Sequence, residues 1–192
     1  MKTALIFGST GGIGAAVVSQ FANSHRVVTV SRHQLDFTQA DNQCPSHLDG
    51  IIAAADPDVI VNCAGLFAGT FQDIFAVNVA SNWHILQYYM EKYTVSKPVT
   101  ILLVGSSAYR GGRRRYPVYS ASKAALHNLV QGCQEALADS AVTVSLLHPA
   151  RVATRMSESL PGNQQLTPQQ VASELLSMST QPSQIKELNY SL

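Results

Sequence analysis

At 192 residues the chain is sized for one domain, and 46% hydrophobic against 13% charged residues is the balance of a folded globular protein with a sizeable core. Thirteen Lys and Arg against twelve Asp and Glu leave a formal net charge of +1 with the signs interspersed, which excludes a general electrostatic pull toward nucleic acid or an anionic membrane surface. Cys44, Cys63 and Cys133 lie far apart with no CxxC pair, so neither a disulfide framework nor a zinc-finger spacing is present, and a reducing cytosol fits best.

The chain opens MKTALIFG, whose apolar stretch of about six residues is too short for a signal-peptide core, and no later run approaches the ~20 apolar residues that span a bilayer. A soluble, cytoplasmic protein without membrane association is expected. Ala4–Phe7 reads as a buried strand that runs directly into Gly8-Ser9-Thr10-Gly11-Gly12-Ile13-Gly14, a GxxxGxG, and then into a helix over Gly14–Ala22. Gly8 permits a tight turn, Gly12 lets the backbone approach a pyrophosphate, Gly14 allows close helix packing, and the exposed amides at the helix start attract the anion. Ser9, Thr10 and Ile13 complete this candidate dinucleotide contact. By itself the motif also fits a glycine-rich loop that binds nothing.

A second strand, Arg26–Val30, leads into Ser31-Arg32-His33, where a protein selecting NAD usually places a carboxylate for the ribose hydroxyls. Here Arg32 offers a planar guanidinium to a 2′-phosphate, with the Ser31 hydroxyl as a second donor, which favours NADP over NAD. The competing reading is a solvated Arg32 and an enzyme that accepts both. A polar loop from Arg32 to Pro45 follows, then a helix over Leu48–Ala55 and a strand over Val59–Val61 that ends on Asn62-Cys63-Ala64-Gly65. Next come a long helix over Phe71–Tyr93 that carries Asn78, a strand over Val99–Val104, and the pair Ser106-Ser107. A loop rich in glycine and arginine spans Arg110 to Pro117. Tyr119-Ser120-Ala121-Ser122-Lys123 then opens a helix over Ser120–Ala138. Strand Val142–Leu147 precedes Pro149-Ala150-Arg151-Val152-Ala153-Thr154. Helix Pro168–Met178 has Thr167 as its N-cap and Pro168 at the first helical position, and strand Ile185–Tyr190 ends the pattern. Strands alternating with helices over residues 1–192 predict a single doubly wound α/β domain with helices on both faces of a parallel sheet.

This ordered set resembles the short-chain dehydrogenase/reductase family over nearly the whole chain. The resemblance implies a Rossmann-like sheet of about seven strands, including a short third strand ahead of Asp36. It also implies an NADP(H) cofactor, with NAD(H) the lesser candidate, and an oxidoreductase interconverting a small carbonyl compound and an alcohol. In it Tyr119 is the general acid/base, Ser106 holds the substrate oxygen, Lys123 holds the nicotinamide ribose, and Asn78 positions a water on a proton-relay path. It further implies that Asp36 meets the adenine, that Asn62, Ala64 and Gly65 approach the adenosine side, and that Pro149, Val152 and Thr154 line the nicotinamide and pyrophosphate region.

The chemistry explains the residue types. A free tyrosine has pKa ≈ 10, so working near neutrality asks for roughly 4 kcal/mol of preferential phenolate stabilisation, which an ammonium can supply. Lys123 is four residues beyond Tyr119 and hence on the same helical face. Ser106 is favoured as the catalytic serine by its thirteen-residue separation from Tyr119, with adjacent Ser107 as the fallback. Cys63 replaces a family asparagine that braces neighbouring strands, and is otherwise an ordinary buried cysteine. Ala150 replaces a family glycine and restricts the backbone there. The lid segment around Met156–Gln165 is short. Arg113-Arg114-Arg115 either grips an anionic substrate at the site's mouth or is a solvated charge cluster. His127 and His148 read as structural histidines, and no metal is expected. Apolar residues on more than one side of two helices (Trp83, Leu86, Tyr89, Leu126, Leu129) hint at a homodimer or homotetramer. The alternatives are a non-catalytic NADP-binding regulatory protein of the same fold, and an epimerase or dehydratase of the longer relatives, which the length and glycine spacing disfavour.

Overall fold

The computed structural model describes residues 1–39, 44–92, 97–158, 165–181 and 186–191. Among these, one parallel sheet is ordered β2-β1-β3-β4-β5-β6. Its strands are β1 (Lys2–Phe7), β2 (His25–Val30), β3 (Val59–Asn62), β4 (Val99–Val104), β5 (Val142–Pro149) and β6 (Glu187–Tyr190). A strand covered on both faces must be apolar at successive positions, and all six residues of β4 are buried. Because successive side chains point to opposite faces, each strand feeds two cores. Leu5, Phe7, Ile60, Ile101 and Leu103 face α2 (Cys44–Ala55), α4 (Ser81–Gln87) and α5 (Pro117–Ala136) through Leu48, Ile52, Ile85, Leu126 and Val130. Ala4, Ile6, Val61, Leu102 and Leu147 face α1 (Gly12–Phe21) and α6 (Pro168–Thr180) through Val17, Phe21, Val171, Leu175 and Met178. Each such fully buried Leu, Ile or Phe contributes about 1.5–3 kcal/mol. The two-faced arrangement is the doubly wound sheet that the alternating pattern predicts. Strand order reverses at β1, where the chain goes out to β2 and returns to β3 on the other side, so the carboxyl ends of β1 and β3 form the crevice where such folds take ligands.

The long helix expected over Phe71–Tyr93 is interrupted. It runs as α3 (Phe71–Phe75), a π-helical turn (Ala76–Ala80), α4 and a second π-helical turn (Tyr88–Lys92). The first widening has a local cause: Ser81 Oγ donates to the Val77 carbonyl at 2.7 Å and Asn82 Nδ2 to the Asn78 carbonyl at 3.0 Å. Side chains thereby compete for acceptors of the helical ladder. Helix α3 starts on a capping box, with Thr70 Oγ1 accepting from the Asp73 amide and the Asp73 carboxylate accepting from Thr70. Thr167 caps α6 as its sequence predicts, with Gln170 completing a capping box.

The sheet has six strands among the described residues, one fewer than expected, because no third strand forms ahead of Asp36. Residues 31–39 are turns instead: the Gln34 and Leu35 amides both donate to the Ser31 carbonyl, and the Ser31 amide and hydroxyl donate to Gln34 Oε1 at 2.9 and 3.0 Å. A polar stretch that satisfies its own backbone locally gains little from pairing with β2. Strand β6 starts at Glu187, and Ile185, Tyr93, residues 40–43 of the polar loop and residues 159–164 of the lid segment lie outside the described residues. The helix residues read as a hint of a partner subunit are mostly accounted for internally: Leu86, Tyr89 and Leu126 are buried in the chain's own core, and Trp83 and Leu129 pack partly buried against it. No described helix is long and apolar enough to cross a membrane.

Candidate active site

The turn after β1 is built around atoms that leave no room for side chains. Gly8 has φ +68°, and a Cβ there would stand 2.6 Å from the Ala64 amide nitrogen. The turns after β1 and β3 therefore abut. A Cβ on Gly14 would lie 2.1 Å from the Gly8 carbonyl oxygen, and one on Gly12 would lie 2.7 Å from Thr154 Cγ2, on the loop after β5. The Gly8 amide donates to Val30 at 3.0 Å and the Gly11 amide to Gly8 at 3.1 Å. Helix α1 begins on Gly11 with no side-chain cap and no acidic residue in its first turn. Its first amides and the positive end of its dipole thus face the crevice, a cradle that suits a pyrophosphate. Ser9 is buried beside this turn, and Thr10 is exposed at its tip. On these observations the residues present fit a dinucleotide.

The adenosine end is only partly as expected. Arg32 is exposed after β2, whereas the Ser31 hydroxyl is engaged with Gln34. Asp36 folds into a turn, its Oδ1 accepting from the Thr38 amide at 2.9 Å and hydroxyl at 2.8 Å. Asn62 is turned inward: its Nδ2 donates to Asn82 Oδ1 at 2.9 Å and Ser81 Oγ at 3.3 Å, while its Oδ1 accepts from Ala64. It braces the turn that presents Ala64 and Gly65 and stands behind the pocket wall. Asn78 is fully buried next to it, with Oδ1 accepting from the Leu66 amide at 2.8 Å and Nδ2 donating to Leu66 O and Ser122 Oγ, both at 2.9 Å. Asn62, Asn82, Asn78 and Ser122 thus form one hydrogen-bonded chain beside Cys63.

Ile13, Cys63, Ala64, Gly65, Ser106, Ser107, Tyr119, Lys123, Pro149, Val152 and Thr154 line one pocket at the carboxyl ends of the strands. The structure brings together residues from five separate segments of sequence here. Tyr119 shares the pocket wall with Ser106, the serine that spacing favours, whose side chain is near enough to ease ionisation of the phenol. Ser106 Oγ accepts from the Ala108 amide at 3.2 Å, which fixes it at the start of a short turn. Phe67 packs against the rings of Tyr116 and Tyr119, both at 5.0 Å between centroids, forming an aromatic wall. Arg113 and Met156 reach the same pocket, while Arg114 and Arg115 are exposed outside it. Ala150 brings no strain, since Asp56 is the one non-glycine with positive φ among the described residues.

The electrostatics correct one expectation. Lys123 does not depress Tyr119 here. Its Nζ donates to the Val104 carbonyl at 3.0 Å and sits 5.8 Å from the Tyr119 ring centroid. Burial raises the Tyr119 phenol above its ordinary value, outweighing the influence of the Ser106 side chain, which acts the other way. Burial also lowers the Lys123 ammonium to about 8, with Cys63 acting weakly in the opposite sense. The Cys63 thiol is pushed up to about 12 by burial, so it is a neutral neighbour of Lys123 on the pocket wall.

Sequence reading missed one constellation. His127 on α5, His148 on β5 and Glu187 on β6 converge behind Ser106, with one ligand-capable atom from each within 4.8 Å of the others. Separations of 21 and 39 residues, on three elements, carry no spacing signal; only the register of β5 with β6, which pairs His148 with Asn189 and Leu146 with Glu187, brings them near. The His148 ring fits because residue 105 is glycine, where a Cβ would be 2.4 Å from His148 Nδ1. Burial lowers the His148 imidazole to about 4, against the opposing pull of Glu187, so the ring is neutral at physiological pH.

The family described as short chain dehydrogenase matches residues 34–165. An uncharacterized oxidoreductase of Staphylococcus epidermidis is 24% identical over 214 residues, covering 96% of this chain and 93% of the relative. One of Staphylococcus saprophyticus is 21% identical over 218 residues with the same coverage, 96% and 93%. Among solved structures, the 3-alpha-hydroxysteroid dehydrogenase of Pseudomonas sp. B-0831, complexed with NADH, superimposes with a TM-score of 0.85 at 18% identity, covering 97% of this chain and 94% of its own. A short chain dehydrogenase of Burkholderia cenocepacia, in complex with NADP, gives a TM-score of 0.81 at 19% identity, covering 100% and 88%. A glycine turn under an uncapped helix, a serine and a tyrosine on one pocket wall, a buried lysine one helical turn on, and a family match over more than half the sequence agree: the chain belongs to the short chain dehydrogenase family.

Proposed function

We propose that this oxidoreductase uses NADP(H) to interconvert a small carbonyl compound and an alcohol, with Tyr119 as the general acid/base. The observation that carries the reading is the convergence of Ser106, Tyr119 and Lys123 on the wall of one pocket that adjoins the glycine turn through Ile13. The nicotinamide, when bound, supplies or accepts the hydride at the substrate carbon. Ser106 donates a hydrogen bond to the substrate oxygen, and Tyr119 Oη gives that oxygen its proton in the reductive direction. Burial keeps the phenol protonated at neutral pH, which holds in place the proton that carbonyl reduction consumes. Lys123 holds the ribose, and Asn78 orders the Leu66 and Ser122 contacts beside it.

NADP over NAD rests on Arg32, exposed after β2 with no carboxylate beside it in the sequence. The two solved relatives named above carry NADP in one case and NADH in the other, so the fold accommodates both. A soluble cytoplasmic homodimer or homotetramer belongs to the same reading, and light scattering on the purified protein reads its size. The test of function is calorimetric titration of NADPH and NADH, with turnover of wild type and Tyr119→Phe on a panel of aldehydes and ketones. NADPH preference and a loss of about 10²–10⁴-fold in turnover with retained cofactor binding are expected for Tyr119→Phe. Binding with no turnover on a broad panel sinks the catalytic part and leaves a regulatory NADP-binding protein; absence of any binding sinks both.

A further inference from the structure

We infer that His127, His148 and Glu187 form a divalent-cation site of the zinc type, separate from the substrate pocket and joined to it through the backbone of Ser106. Two buried ring nitrogens, His127 Nδ1 and His148 Nε2, have no hydrogen-bond partner, although a buried polar atom left unpaired costs about 1–3 kcal/mol. Both are aimed at the same carboxylate oxygen. Glu187 Oε1 is 3.6 Å from His127 Nδ1 and 3.5 Å from His148 Nε2, too long for hydrogen bonds. Those separations suit two ligands sharing one ion instead, since bonds of about 2.0–2.2 Å in tetrahedral geometry set ligand atoms roughly 3.3–3.6 Å apart.

Two imidazoles and one carboxylate are a ligand set that zinc accepts while keeping a fourth position for water. The support around them is also that of a metal site. His148 is fully buried, and its Nδ1 lies 3.2 Å from the Ser106 carbonyl. The Ser106 amide also lies 3.3 Å from Nδ1, so the backbone holds the ring plane from both sides; metal binding selects the tautomer whose Nδ1 donates to the carbonyl, which leaves the Nε2 lone pair facing Glu187. Tyr109 supplies the rest: its hydroxyl donates to Glu187 Oε1 at 3.1 Å, and its ring stacks on His148 at 3.9 Å and leans on His127 at 4.4 Å. Glu187 and His127 keep partly exposed side chains, so an ion reaches the site from solvent. Bound there, it would tie edge strand β6 to β5 and α5 and stiffen the segment that carries Ser106.

The experiment is titration of untagged, chelator-stripped full-length protein with Co2+, followed by Zn2+. Expected are one equivalent of Co2+ with the intense visible bands of a four-coordinate ion, displacement by one equivalent of Zn2+, and a rise in Tm with Zn2+ concentration. His127→Gln and Glu187→Gln, which leave fully buried His148 in place, should each weaken binding at least about 10-fold with an unchanged far-ultraviolet circular dichroism spectrum. No band and no Tm rise at stoichiometric metal would overturn the assignment. So would metal binding that both variants retain, because the ion would then sit elsewhere.

Discussion

Lys123 offers a measurement in which burial, charge and pH make a quantitative statement. The side chain is 3% exposed, and its ammonium is lowered from the ordinary 10.5 to about 8. Holding that charge in the folded protein therefore costs about 3 kcal/mol at neutral pH. The sign follows from proton counts. Below pH 8 both the folded and unfolded chains carry the proton, and the cost is present in full. Between pH 8 and 10.5 the unfolded chain keeps a proton that the folded one has released, so this group makes stability rise with pH, and above 10.5 the cost is gone. Lys123→Met removes the cost but also leaves the Val104 carbonyl without its donor at 3.0 Å, a loss of about 1–3 kcal/mol, so the two proteins should differ little at pH 7. The diagnostic quantity is the difference between them in urea unfolding at pH 7, 8, 9 and 10. Wild type should gain about 2–3 kcal/mol on the variant across that range, equivalent to roughly 4–12 °C in Tm for a chain of this size. The Cys63 thiol, raised to about 12, stays neutral throughout and does not interfere. Parallel stability curves for the two proteins from pH 8 to 10 would refute the reasoning.

Arg32→Ala should weaken NADPH about 10- to 100-fold and leave NADH within about 2-fold, read by the same calorimetry; equal losses for both would remove Arg32 from 2′-phosphate recognition. Gly14→Ala puts a Cβ 2.1 Å from the Gly8 oxygen and should cost several kcal/mol or prevent folding, whereas Gly132→Ala, on the exposed side of α5 with nothing within 4 Å of its Cβ, should stabilise by about 0.5–1 kcal/mol in urea unfolding. Asn82→Ala leaves the Asn62 amide short of its acceptor at 2.9 Å and frees the Asn78 carbonyl, so a stability loss of about 1–3 kcal/mol with a weakened cofactor Kd is expected; an unchanged Kd would detach this network from the site.

Much of this was legible from residues alone, for reasons that differ by element. Strand β4 and helix α6 could be read because their signals are local: a run apolar at every position but Thr100 in one, a Thr-Pro-Gln-Gln start in the other. The glycine turn was legible because steric exclusion acts between near neighbours, as Gly14 against Gly8 shows. The positions of Asn78, Ser106, Tyr119 and Lys123 came from the family resemblance that their order and spacing carry, and the structure brings Ser106, Tyr119 and Lys123 to one pocket. What escaped depends on long-range geometry. Nothing local says that Ser31 spends its hydroxyl on Gln34 instead of starting a strand, or that Ser81 and Asn82 turn back to widen the helix at Asn78. The Lys123–Tyr119 electrostatics escaped because the dominant influence is burial, which a sequence does not display for a single polar side chain.

Ending the sheet at β2 has a consequence for how the molecule keeps to itself. An outermost strand carries a row of amides and carbonyls ready to accept a strand from another chain, the usual first step of edge-to-edge aggregation. Across most of this sheet that hazard is abolished by neighbours; at β2 the described residues supply none beyond it. Protection there falls to side chains, and Arg26 is the one charge on the strand. Its guanidinium is anchored to Thr3 at 3.3 Å and to the Ala55 carbonyl at 3.2 Å, so a desolvation-averse cation is held in place along a margin otherwise made of Val27, Val28 and Thr29. At the opposite margin the four-residue β6 carries Glu187 and Asn189, short and polar where a long apolar strand would recruit strangers.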